Sequence, residues 1–367
     1  MLRRFAVFLS VAQSILFLGH YLLYQTLVLA FAPHRGTVAL ACALGVLSIS
    51  FLGSSLLAFG SYHVVVRILY KIGAVWLGAF NYLFMAAVVW WMVFAASGLT
   101  GRRFLTADLS AGLFTLALAV GIYGLINGNW TRRKRLTVRL AGLPDSWRGR
   151  TIALVSDLHL GNIRGARFLA RIVKKIAAEN PSIVLIAGDL FDGTPIDADR
   201  AVAPLRSLQP PLGSFFVEGN HEEFRDPAQF VNAIAKTGVR PLYNELVDIE
   251  GLQVIGVPYK HATHADHLRS VLAAMHIARE RASLLITHAP DHPEVAAEAG
   301  ISLQVSGHTH LGQMFPYTLI ARRIYREFTY GLSRIGGLQV YTSSGAGSWG
   351  PPQRVGTQSE IVLIRLE

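Results

Sequence analysis

The first 130 residues carry long uninterrupted apolar runs broken by short polar segments, whereas from Thr151 onward short apolar runs alternate with stretches of helical spacing. The long runs lie at 5–31, 37–59, 73–97 and 109–126. Each can cross a hydrocarbon core of ~30 Å, which takes ~20 helical residues. Residues 1–130 are therefore expected to form a transmembrane anchor of four helices. Arg3 and Arg4 ahead of the first run, with Ala30, Phe31 and Ala32 at its end, also resemble a secretory signal. That run is longer than the ~7–15 apolar residues of a signal core, so a retained span is the expectation.

After a basic juxtamembrane linker at 131–150, residues 151–367 predict an α/β domain. Strands are expected at 151–156, 183–187, 214–217, 246–249, 253–257, 284–287, 302–305, 339–343 and 360–366, where aliphatic and β-branched residues run together. Helices are expected at 166–178, 227–236, 264–276 and 294–299. Alternation of the two periods argues for sheet and helix layered around shared cores.

Charge sharpens this division. Residues 1–130 contain one acidic residue, Asp108, and seven basic ones. Basic residues are retained on the cytoplasmic side during insertion. Arg3, Arg4, Arg67, Lys71 and the cluster Arg132, Arg133, Lys134 and Arg135 fall on one side of the four-span arrangement, against Arg35, Arg102 and Arg103 on the other. Both termini and the α/β domain are thus expected in the cytoplasm. Gln13, His20 and Asn81 within the spans read as interhelical hydrogen-bonding groups, since no Asp or Glu joins them there to make a charged relay. The basic cluster directly follows a span, which favours contact with anionic lipid over nucleic acid. With 52% apolar residues and a mean hydropathy of +0.39, the chain is not disordered, and its single cysteine, Cys42, excludes a disulfide-stapled fold.

Candidate chemistry sits where the expected strands end. Five blocks follow strands directly: Asp157 and His159; Gly188, Asp189 and Asp192; Gly219, Asn220, His221 and Glu222; His288; and Gly307, His308 and His310. Carboxyl ends of strands in an α/β sheet converge on one crevice, so these blocks can meet there. Polar clusters at five successive strand ends would be costly to bury without partners, and metal ions supply such partners. The donors mix imidazole, carboxylate and amide, which suits Mn, Fe, Co or Zn.

With these blocks in this order, the chain resembles the calcineurin-like metallophosphoesterase superfamily, whose motifs run D-x-H, G-D, G-N-H-[ED], H and G-H-x-H. Within it, the chain is most similar to bacterial membrane-associated phosphoesterases. That subgroup commonly continues with Gly-Gly-Gln, where this chain has Leu311, Gly312 and Gln313. The resemblance implies a four-layer α/β/β/α sandwich and a multi-pass protein of the bacterial inner membrane. It implies two divalent metal ions, one held by Asp157, His159 and His310 and the other by Asn220, His288 and His308, with Asp189 bridging. It further implies His221 as a catalytic residue facing the phosphate and Asp192 as the carboxylate that orients it. Two such ions can share a water, lower its pKa and clamp phosphoryl oxygens.

The implied activity is hydrolysis of a phosphodiester, pyrophosphate or phosphomonoester, with a lipid-linked ester as one substrate class. A transporter or sensor that binds a phosphoester without turnover is the alternative from another class, and a metal-dependent nuclease the alternative among enzymes. Residues 314–335 interleave Phe315, Tyr317, Tyr325, Phe328 and Tyr330 with Arg322, Arg323, Arg326 and Arg334. They suit either a hairpin packed on the sheet or a rim lying on the membrane. Arg354, in a later Gly-rich stretch, is a candidate phosphate contact.

Overall fold

The computed structural model describes residues 2–31, 36–101, 104–224 and 226–367. Arg35, Arg102 and Arg103, which enter the orientation argument, and Ala32 of the cleavage-site reading lie outside the described residues. The chain divides into two compact units, Met1–Ile126 with Gly350–Gln353, and Asn127–Trp349 with Arg354–Glu367.

The first unit is built on α1 (Leu2–Phe31), α2 (Thr37–Gly60), α3 (Val64–Thr100) and α4 (Ala107–Asn129), each long and apolar enough to cross a membrane. The expected span at 73–97 lies within α3, whose start at Val64 is capped by the His63 side chain accepting from the Val65 amide at 3.3 Å. Arg67 and Lys71 lie in the first turns of this helix, with the Arg67 guanidinium 4.6 Å from the centre of the Tyr62 ring. Large apolar side chains face outward, and the polar ones pair inside. Gln13 Nε2 donates to the Ser48 carbonyl (3.1 Å), Trp76 Nε1 to His20 Nε2 (2.9 Å), Trp90 Nε1 to Ser110 Oγ (3.0 Å) and Trp91 Nε1 to Thr26 Oγ1 (3.0 Å). In an apolar surround, such pairs satisfy donors that water cannot reach.

In the second unit β1 (Arg132–Val138) and β2 (Thr151–Val155) lead to α5 (Ala166–Ala177), β3 (Ile183–Ala187), α6 (Ala198–Val202) and β4 (Ser214–Val217). Then come α7 (Pro227–Ala235), β5 (Arg240–Pro241), β6 (Glu245–Ile249), β7 (Leu252–Gly256), α8 (Tyr259–Ala262), α9 (Ala265–Ala274) and β8 (Ser283–Ile286). The chain continues through α10 (Pro293–Glu298), β9 (Leu303–Ser306), α11 (Tyr317–Tyr325), β10 (Gly331–Ile335), β11 (Leu338–Thr342) and β12 (Glu360–Leu366). One sheet runs β1-β12-β2-β3-β4-β5 and the other β10-β11-β9-β8-β7-β6.

The expected four-layer sandwich follows from alternation along each strand. On β2, Ile152 and Leu154 enter the core between the sheets, while Ala153 and Val155 face α5, α6 and α7. On β8, Leu284 and Ile286 enter the same central core and Leu285 faces α9 and α10. Period-two side chains thus feed two cores from each buried strand.

The segment expected as a basic linker opens instead as the edge strand β1, paired parallel to β12 from Arg132↔Glu360 to Val138↔Leu366. Its cations hid the strand from the apolar pattern, and charge is one way an exposed edge is protected from further pairing. Arg133 and Arg135 each meet Glu179 at 2.7 Å. Residues 314–335 form α11, a short 3-10 turn and β10 rather than a simple hairpin.

Candidate metal centre

Asp157 and His159 follow β2, Asp189 follows β3, Asn220 and His221 follow β4, His288 follows β8, and His308 and His310 follow β9. Parallel β2, β3 and β4 carry the first three blocks to one end of their sheet, and parallel β8 and β9 carry the others to one end of theirs. Leaving the strands takes sharp turns: Asp157, His159, Asp189, His308 and His310 all have positive φ, between 48° and 69°. Left-handed backbone at non-glycine residues costs energy and clusters at functional sites. Close approach explains two glycines: a Cβ on Gly219 would overlap the Asp189 carboxylate, and one on Gly307 the Asp157 carboxylate.

Three groups of ligand atoms converge: Asp157, His159 and His310; His159, Asp189 and His221; and Asp189, His288 and His308. His159 Nε2 lies 3.0 Å from His310 Nε2, and His310 Nε2 lies 3.5 Å from Asp157 Oδ1. Asp189 Oδ2 lies 3.1 Å from His288 Nε2, 3.8 Å from His159 Nε2 and 3.9 Å from His221 Nε2. His308 Nδ1 is 3.1 Å from His288 Nε2. The geometry also brings His221 among the ligand groups, a place the sequence reading did not give it.

Burial pulls His159 and His310 well below the ordinary imidazole range, helped by the neighbouring His221 and His159 respectively. Burial likewise takes His308 down to about 3. These rings are neutral and keep a lone pair for a cation. Burial, with the Asp189 charge, pushes Asp157 up to about 6. At Asp189 burial opposes ionisation, but His288 foremost, with His221 and His159, holds the carboxyl below the usual carboxylate range. The same contact outweighs burial at His288 and raises it to about 10. The buried Asn220 Oδ1 has no hydrogen-bond partner among the described residues. An orphaned carbonyl beside converging imidazoles and carboxylates fits a site that takes metal ions.

His221 Nδ1 lies 3.0 Å from the Asp192 main-chain oxygen. The expected orienting contact is therefore made by backbone, and the Asp192 carboxylate is occupied elsewhere. It accepts from the Thr194 amide (2.8 Å), Thr194 Oγ1 (2.5 Å) and the Asn162 amide (3.2 Å), and so caps the turn after Asp189. Arg354 is likewise not free for phosphate. It is fully buried and donates to the carbonyls of Ser344 (2.6 Å), Gly347 (2.7 Å), Gln358 (3.2 Å) and His310 (3.3 Å). Leu311, where the Gly-Gly-Gln pattern of the resemblance would place glycine, takes the left-handed conformation a glycine would suit, with φ 52°.

Sequence reasoning gave no role to three contributors. Glu222 is fully buried and accepts from the amides of Gly219 (2.8 Å), Phe191 (2.9 Å) and Asp189 (3.0 Å), tying two ligand-bearing turns together. Its signal was the last letter of the Gly-Asn-His-Glu block. Trp349 packs edge-on to His221 at 5.5 Å, and Gln313 holds the Trp349 main chain through its amide (2.9 Å) and carbonyl (3.1 Å). His261, His264, His267, His276 and His292, given no role from sequence, lie outside the three ligand groups.

The second unit is thus a sandwich of two mixed sheets with histidine and carboxylate donors gathered at its strand ends. Residues 150–312 match the family model described as calcineurin-like phosphoesterase. The chain is 29% identical over 309 residues to an uncharacterized metallophosphoesterase of Campylobacter jejuni, covering 81% of this chain and 82% of that protein. It is 32% identical over 271 residues to a zebrafish transmembrane protein with a metallophosphoesterase domain, covering 70% of this chain and 61% of that protein's length. A solved dimetal phosphatase from zebrafish aligns with 54% of this chain and 88% of its own at 14% identity and a TM-score of 0.35. Residues 150–312 thus form a calcineurin-like metallophosphoesterase domain, the domain of a hydrolase of phosphoric esters, and it follows four helices long and apolar enough to cross a membrane.

Proposed function

We propose that this chain is a multi-pass bacterial inner-membrane phosphoesterase whose cytoplasmic domain holds two divalent transition-metal ions, Mn, Fe, Zn or Co. Asp157, His159 and His310 would hold one, Asn220, His288 and His308 the other, and Asp189 both. The observation that carries this reading is the Asp189 carboxylate, which belongs to two of the three converging ligand groups. Bound divalent cations supply Lewis acidity toward phosphoryl oxygens and lower the pKa of water.

His221 supplies the proton chemistry. With Nδ1–H donating to the Asp192 carbonyl, Nε2 is turned toward the Asp189 side of the site. As a water oxygen bonds to phosphorus and the ester P–O bond breaks, Nε2–H gives its proton to the leaving ester oxygen and the ring recovers one from the proton the attacking water releases. Substrates are phosphodiesters, pyrophosphates or phosphomonoesters, with lipid-linked esters favoured by the apolar helices.

Hydrolysis of bis-p-nitrophenyl phosphate by the detergent-solubilised, Mn-loaded chain tests this. Asp189→Asn should lower kcat/KM by more than the ~10–100-fold typical of residues that only support ligands. His221→Ala should lower kcat ~10²–10⁴-fold with metal content unchanged. Equal rates for the parent and both variants would overturn the mechanism.

A further inference from the structure

α11 and the segment around it lie beyond residues 150–312 that match the family model. The helix is inverted relative to an ordinary surface helix. Its small residues Thr318 and Ala321 are buried, while Tyr317, Ile320 and Ile324, spaced i, i+3 and i+7, are 46%, 55% and 62% exposed. Phe315 and Leu319 add 41% and 59% exposed side chains beside them. Arg322 and Arg323 flank this face, Arg326 follows it, and Glu327 is the one acidic residue in 314–335. A contiguous apolar face edged by cations is the signature of a helix lying in a membrane interface.

The apolar surface continues to the candidate site. The Tyr325 ring lies 6.0 Å from that of His308, and the exposed rings of Phe224 and Trp349 pack 4.6 Å and 5.5 Å from His221. Two residues, Trp130 and Thr131, separate the end of α4 from the start of β1. Such a short tether keeps the domain within reach of the bilayer that α4 is read to cross, and the cations edging the exposed apolar face suit anionic headgroups. We infer that α11 is an interfacial docking surface for anionic lipid, which brings the mouth of the metal site to the headgroup layer. The consequence for substrate, a phosphoester presented at that layer, rests on the hydrolase reading above.

The full chain with Cys42→Ser, reconstituted in lipid nanodiscs, tests the docking without turnover. Nitroxide labels at Ile320→Cys and, separately, Ile324→Cys are compared with one at Asp266→Cys, a charged exposed site on α9. In discs containing phosphatidylglycerol, labels at 320 and 324 should collide with oxygen several-fold more often than with a water-soluble nickel chelate, and the label at 266 should show the reverse. Arg322→Glu with Arg323→Glu should return the label at 320 toward water. Labels at 320 and 324 as accessible to nickel as 266 would overturn the inference. So would protection seen only in discs holding two chains, which would assign the face to a second copy. Hydrolysis of bis-p-nitrophenyl phosphate by the unlabelled parent is read separately: its absence would sink the hydrolase reading and leave the collision result standing.

Discussion

The helical unit and the α/β unit handle buried polarity in opposite ways. In the helices, each interior donor described above meets a single neutral acceptor, as Trp91 Nε1 meets Thr26 Oγ1 at 3.0 Å. In the α/β unit, imidazoles and carboxylates are driven together at distances down to 3.0 Å, on left-handed backbone, with an amide oxygen left unpaired. The first arrangement minimises the cost of polarity in an apolar surround, whereas the second keeps that cost and calls for a cation to offset it. Local satisfaction marks scaffold, and convergent dissatisfaction marks the site.

This contrast can be broken most severely at Gly219. Gly219→Ala places a Cβ against the Asp189 carboxylate, so metal loading and turnover of bis-p-nitrophenyl phosphate should both fall, by at least ~10²-fold for turnover. Undiminished turnover would mean that Asp189 need not sit where it does. Glu222→Gln comes next. Its carboxylate takes three amide donors on two oxygens, and a side-chain amide would turn an N–H toward one of them. Metal affinity measured by competition with a chelator should drop ~10–100-fold.

A smaller effect separates the titrating site from the rest of the fold. His308 falls from the ordinary 6.5 to about 3 on folding, so the unfolded chain takes up its proton first as pH drops. Its contribution to stability is present above pH 6.5 and is lost below it, by about 1.4 kcal/mol per pH unit. Thermal unfolding of the metal-stripped full chain should therefore show the parent losing ground to His308→Gln as pH falls through that window. A constant difference would contradict the assignment. Smallest of all, Trp91→Phe removes one hydrogen bond in the helical unit. It should cost about 0.6 kcal/mol, the average for such bonds between membrane helices, and leave turnover unchanged.

Much of this was legible in the sequence where one residue type dominates a segment. Ile183–Ala187, Ser214–Val217 and Glu360–Leu366 are strands at the expected bounds, because buried strands read as continuous apolar runs. Strand β1 was not, since its outer residues are arginines and lysine and its pairing is on one side only. α11 was obscured because its face toward the protein is built from small residues while its large apolar ones point away. At the site, the motif blocks announced which side chains gather, but not what orients them. Whether His221 is held by the Asp192 carboxylate or its carbonyl depends on the turn at Thr194, and Arg354 reads as a phosphate contact until its donors are followed to backbone carbonyls.

The central claim is that Asp189 is shared between two metal ions, and elemental analysis of the purified full chain after loading and desalting tests it most directly. The parent should carry about two transition-metal ions per chain, and Asp189→Asn should lose both or retain one weakly. A parent that binds no transition ion, even after supplementation, would contradict the account.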